Sequence, residues 1–116
     1  MLTNDVKSSI QESVLCWLAT ADKNGCPSVS PKEVFLCHGE NEILIANIAS
    51  ANSVKNILQN KHVCVSFIHI FKQKGFQVYG SAEYIDRNSE SFEPLFAVVE
   101  PITGDTYPVA AIIRRE

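Results

Sequence analysis

Apolar positions along this chain fall mostly into short continuous or alternating runs, which predict strands, with a few stretches at helical spacing between them. The most informative segment is residues 42–58. Ile43 to Ile48 is apolar and rich in β-branched residues and follows a polar turn, so it predicts a buried strand. Val54, Ile57 and Leu58 then recur at helical spacing, with Ser50, Asn52 and Ser53 available as caps. A strand, a short polar loop and a helix start together aim several backbone N–H groups at one spot. The first N–H groups of a helix lack partners and its dipole favours negative charge, which makes such a junction a natural anion site. Lys55 falls in or near the first turn, where a cation is mildly unfavourable unless an anion sits beside it. An ordinary capped helix with an exposed lysine accounts for the same residues.

The rest of the pattern is read around that segment. Thr3, Asn4 or Asp5 can cap a short helix with Val6, Ile10 and Val14 on one side. Residues 14–20 form a continuous apolar strand, 22–25 a turn in which Gly25 suits a positive φ, and 28–36 the returning strand. Pro31 has no N–H to donate, so that strand is expected at an edge or broken there. The break would leave Ser30 and Lys32 free to meet something else, or it is simply a device against edge-to-edge aggregation. Residues 63–71 predict a long strand and 72–75 its turn. In 76–85, Phe76, Val78, Ala82 and Tyr84 alternate with Gln77, Ser81 and Glu83, and Gly80 marks a bend or a close backbone approach. Phe92, Leu95, Phe96 and Val99 share one face of a third helix that Pro101 ends, and 107–113 supply the last strand. Six strands in hairpins with short helices predict a mostly β chain and a small closed or partly closed antiparallel barrel, spanning 1–116 as a single domain.

Composition narrows the function classes. At 116 residues the chain can build a modest core, and its net charge of −3 offers no basic footprint for nucleic acid. No apolar run approaches the ~20 residues of a membrane span, and residues 1–5 lack the features of a signal peptide. Cys16, Cys26, Cys37 and Cys64 are widely spaced without a Cys-x-x-Cys pair, as expected for reduced thiols of a cytoplasmic protein. His38, His62 and His69 do not combine with them at zinc-ligand spacing, so no metal site is expected.

Three stretches in this order and spacing, residues 27–35, 45–57 and 73–82, resemble the pyridoxamine 5′-phosphate oxidase-like family of FMN-binding split barrels, and most of all its short members. The similarity runs from Val14 to Ile113. It implies a six-stranded antiparallel split β-barrel and a homodimer holding FMN in grooves at the subunit interface. It implies further that the strand containing Ser30, Pro31 and Lys32 lies along the isoalloxazine ring, with Ala46 and Asn47 beside it. The phosphate then falls to Ser50, Asn52, Ser53 and Lys55, at the junction already read as an anion site. Lys32 is expected near the pyrimidine edge of the ring, where a cation favours the reduced anionic flavin.

Two functions follow from the resemblance. One is an FMN-dependent oxidoreductase acting on a small substrate. Its chemistry would belong to the cofactor, so the absence of a recognisable triad is expected and no catalytic residue is assigned. The other is a non-catalytic FMN carrier or electron-transfer module. A third reading places haem or a deazaflavin in the same barrel, and haem would draw its axial ligand from His38, His62 or His69. The family's true oxidases hold their substrate phosphate with a basic C-terminal segment. Here only Arg114 and Arg115 follow the last strand, so oxidation of pyridoxamine phosphate is not expected.

Overall fold

The computed structural model describes residues 2–46, 51–85 and 111–115. Helix α1 spans Asn4–Glu12, and Thr3 caps it by accepting a hydrogen bond from the Val6 N–H at 3.3 Å. Strands β1 (Cys16–Ala21), β2 (Pro27–Lys32), β3 (Phe35–His38) and β4 (Glu42–Ile45) precede helix α2 (Ala51–Gln59). Strands β5 (His62–His69), β6 (Lys74–Tyr84) and β7 (Ala111–Arg115) complete the described elements. The helix expected around Phe92 to Val99, and Asn47 and Ser50 of the expected site, lie outside the described residues.

The six expected strands become seven segments because the one read over 28–36 divides at Glu33 and Val34, just beyond Pro31. All pairings are antiparallel, in the order β2-β1-β5-β6-β7-β4-β3. This order dictates the architecture. Laid flat at about 4.8 Å per strand, β2 and β3 would stand roughly 29 Å apart. Yet they are consecutive in the chain, and the step from Lys32 to Phe35 reaches only about 10 Å. The sheet must therefore curl until its two edges nearly meet, which makes a split barrel. A hydrogen bond from the Ala46 N–H to the Val34 carbonyl, at 3.1 Å, ties the link to the far side. As expected of a strand carrying Pro31, β2 is an edge.

Side chains alternate across the curled sheet. Cys16 and Leu18 of β1, Val63, Val65 and Phe67 of β5, and Val78 and Ala82 of β6 point inward. They meet Ile43 and Ile45 of β4, with Leu2 and Ile10 at the α1 side and Ile57 from α2. Phe67 also stacks obliquely on Phe35 and Phe76, with centroids 6.2 and 6.3 Å apart. Val14, expected on the apolar face of α1, lies past the end of that helix and is exposed. The outer face of β2, β1, β5 and β6 carries exposed Val29, Trp17, Ile68 and Tyr79. Their register brings them close: Trp17 sits opposite Pro31 and Ser66, and Ala19 opposite Val29 and Cys64, which in turn faces Tyr79. Among the described residues no helix is long and apolar enough to cross a membrane.

The turns follow their residues. Asp22 accepts hydrogen bonds on its Oδ1 from the Asn24 and Cys26 N–H groups, both at 2.9 Å, and Gly25 takes a φ of 83°. The β5–β6 turn, expected over 72–75, covers 70–73, with Gln73 at positive φ. Gly75 is needed for another reason. A Cβ there would collide with the Phe67 carbonyl oxygen and touch the Ile68 backbone, so only glycine lets the two strands pair this closely.

Candidate functional site

Helix α2 crosses the inner side of β1 and β2, and its orientation decides which of the expected residues act together. The sequence pattern turns Val54, Ile57 and Leu58 inward; in the structure Ser53, Asn56 and Ile57 are buried and Leu58 is exposed. The rotation has a local cause. Strand β2 presents Ser30 inward and β1 presents Thr20, two hydroxyls that need partners away from water. Ser53 meets Ser30 at 3.0 Å between the two Oγ atoms, and the Asn56 Nδ2 donates to the Thr20 Oγ1 at 3.0 Å. These two bonds lock the helix about its own axis.

With Ser53 and Asn56 facing in, Asn52 and Lys55 face out. They line an open depression of about 450 Å³, bounded on its other side by the 22–26 turn and by Pro27 and Ser28. Gln59 and Asn60 at the end of the helix hold that turn in place. The Gln59 Oε1 accepts from the Lys23 N–H at 3.3 Å, and the Asn60 Nδ2 donates to the Asp22 carbonyl at 3.4 Å. Both walls are therefore anchored. Among the described residues, the Lys23, Asn52 and Lys55 side chains make neither a hydrogen bond nor an ion pair, whereas the Asp22 carboxylate is engaged by its own turn. Lys55 and the Asn52 carboxamide, near the helix start, are suited to an anion, whereas Lys23 stands against the last turn of α2.

The expected site residues thus divide. Asn52 and Lys55 belong to the depression, and Ser53 and Ser30 form the brace behind it. Pro31 points outward on the β2 edge, and Ala46 is buried just after β4. Lys32 is only 5% exposed, turned inward opposite Cys16 in the neighbouring strand. Burial lowers the pKa of the Lys32 ammonium, and burial likewise pushes the Cys16 thiol up to about 12, with the Lys32 charge opposing part of that rise. From this position the Lys32 charge would reach a ring on the outer face only through the strand. Lys23, Asn24, Ser28, Asn56 and Gln59 were not singled out from the sequence. Asn52, Lys55, Asn56 and Gln59 do recur at i, i+3, i+4 and i+7, a polar stripe whose spacing is a legible signal.

The histidines are committed elsewhere. His38 Nδ1 lies 2.9 Å from Glu42 Oε1 across the β3–β4 hairpin, and His69 Nδ1 accepts from the Lys72 N–H at 3.2 Å. The four cysteines are free thiols, of which Cys16 is buried and Cys26 exposed at the rim of the depression.

The family model for pyridoxamine 5′-phosphate oxidase matches residues 2–114, nearly the whole chain. The chain belongs to this family. No curated protein matches it in sequence. Solved structures of the same fold include HupZ of Group A Streptococcus, at a TM-score of 0.84 and 21% identity, covering 100% of this chain and 90% of that one. HutZ, named the heme storage protein from Vibrio cholerae, gives 0.71 and 23%, covering 99% and 90%. An FMN-binding protein from Syntrophomonas wolfei gives 0.69 and 14%, covering 96% and 80%. The split barrel of the family is therefore common to proteins whose names point to different cofactors.

Proposed function

We propose that this family member is an FMN-binding flavoprotein, a homodimer with FMN at the subunit interface, working as a flavin-dependent oxidoreductase on a small substrate. The observation that carries the reading is the pair of uncommitted side chains, Asn52 and Lys55, held beside the start of α2 next to the open β2 edge. They suit a terminal phosphate, to which the family resemblance also assigns Ser50. Ser53 acts on the phosphate through the helix, by keeping its bond to Ser30. The β2 edge around Pro31, with Ala46 and Asn47, flanks the ring.

The second subunit has a physical reason. A barrel of this size offers little concave surface for a tricyclic ring, and pockets form preferentially where elements or subunits meet. The outer face of β2, β1, β5 and β6, with Trp17, Val29, Ile68 and Tyr79 exposed together, supports pairing through that side. Of the aromatic residues, Phe71 is 91% exposed and Tyr79 is exposed, whereas Phe67 is core.

Bound flavin supplies hydride or electron transfer. The chain supplies orientation: the brace under α2 fixes the anion site, the β2 edge presents backbone to the ring, and the apolar outer face excludes water. Absorption spectroscopy of the purified protein is the first test. Flavin bands support the reading, and a Soret band in their place overturns it in favour of haem. Asn52→Ala with Lys55→Ala should weaken FMN binding by about tenfold or more and leave riboflavin within about twofold, since charge-assisted bonds contribute roughly 1.5–3 kcal/mol each. Equal losses for both ligands remove these residues from the phosphate. Steady-state turnover with NADH or NADPH and dye acceptors separates a reductase from a carrier.

A further inference from the structure

The depression is larger than one phosphate requires. From Asn52 to Gln59 its helical wall runs seven residues, about 10 Å along the axis. The facing wall, the 22–26 turn, brings a second cation: Lys23 is exposed and without an ion pair among the described residues, like Lys55. Asn24 and the Gln59 amide nitrogen add donors, because only the Gln59 Oε1 is used in holding the turn. Two separate elements therefore each contribute a lysine to one preformed, solvent-open space. A single phosphate at Asn52 and Lys55 would engage one of the two lysines, while Lys23 shares its end of the depression with the Asp22 carboxylate, which its own turn holds through two backbone N–H groups.

We propose that this depression holds a second, linked phosphate, so that the site accepts flavin adenine dinucleotide as well as the mononucleotide. This rests on the FMN reading for the position of the first phosphate and goes beyond it in naming what lies past that phosphate. Asn52 and Lys55 take the phosphate nearer the ring, and Lys23, Asn24 and Gln59 take the one attached to the adenosine. The adenosine lies toward Cys26 and Pro27, two exposed residues that also line the depression. The turn is tied to α2 by Gln59 and Asn60, so the second cation is positioned before any ligand arrives, and little ordering is needed on binding.

The test is a set of binding titrations with riboflavin, FMN and FAD against the wild-type chain, Lys23→Ala and Lys23→Glu. The wild type is expected to bind FAD within about threefold of FMN or more tightly. Lys23→Ala should weaken FAD by about tenfold and FMN by less than about twofold, because one charge-assisted contact is lost from the outer phosphate alone. Lys23→Glu should widen the gap. Lys23 is exposed in a turn whose bonds use the backbone and Asp22, and an unchanged far-ultraviolet dichroism spectrum in both variants confirms the fold. Rejection of FAD by a wild type that binds FMN overturns the inference alone, as does an equal effect of Lys23→Ala on both nucleotides. Failure of the wild type to bind any flavin overturns the FMN reading and this inference together.

Discussion

The interior of the barrel has two halves that are held together by different physics. Toward β4 and β5 it is apolar: Leu18, Ile43, Ile45 and Val65 are essentially inaccessible and interdigitate with Phe67 and Val78. Under α2 it is polar: Thr20, Ser30, Ser53 and Asn56 are paired across the helix–sheet contact, with Lys32 and Cys16 farther along the same two strands. The apolar half derives its stability from area removed from water, which is large but has no direction. The polar half adds little net stability, because each bond replaces one made to water, but it has one satisfied arrangement and a high cost for any other. The first half makes the barrel stable and the second sets the helix that faces the candidate site. A site that must present Asn52 and Lys55 to a ligand needs that directional half.

This contrast can be broken from the apolar side with the largest effect. Ile43→Ala removes a fully buried side chain and should cost about 2–5 kcal/mol in chemical denaturation, as large-to-small core changes do. Any flavin affinity measured on the fraction still folded should be unchanged. A loss below 1 kcal/mol would mean that the core near Ile43 repacks freely.

The polar half should respond more weakly to stability measurements and more sharply to pairing. Asn56→Ala strands the Thr20 hydroxyl and should cost about 1–3 kcal/mol, whereas adding Thr20→Val to it should recover most of that loss. The same single substitution should weaken FMN more than riboflavin, since it frees the rotation of α2. A double variant no more stable than the single one would show that the pair is not coupled.

The smallest effect is expected in alkali. The Cys16 thiol, held protonated up to about 12 by burial, binds its proton more tightly folded than unfolded, so stability falls as pH rises from the ordinary thiol value of 9.0 toward 12. Lys32 is shifted down, so it has the opposite sign: its contribution rises with pH up to the ordinary lysine value of 10.5. The net alkaline loss should therefore be partial in the wild type. Cys16→Ala should lessen the fall above pH 9 in urea titrations, leaving the part carried by Cys37 and Cys64, whose thiols burial also raises, and an unchanged alkaline slope would exclude Cys16 as a source.

Much of this molecule was legible along the chain. Alternation and turn residues marked the strand regions, though not the break that divides 28–36 into β2 and β3, together with the Asp22–Gly25 turn, the α1 cap and the edge position of the Pro31 strand, because each depends on neighbours within a few residues. The family resemblance was likewise legible. What the linear pattern misjudged was the rotation of α2. Hydrophobic periodicity placed Val54, Ile57 and Leu58 inward, yet the helix buries Ser53 and Asn56 and exposes Leu58. That outcome depends on Ser30 and Thr20, which lie 23 and 36 residues away and reach the helix only after the sheet has curled. The split of the candidate site into outward Asn52 and Lys55, bracing Ser53 and interior Lys32 follows from the same rotation and from the inward phase of β2. Local propensity specifies which residues form an element. Which face that element turns inward was decided by the polar partners that tertiary folding brought beneath it.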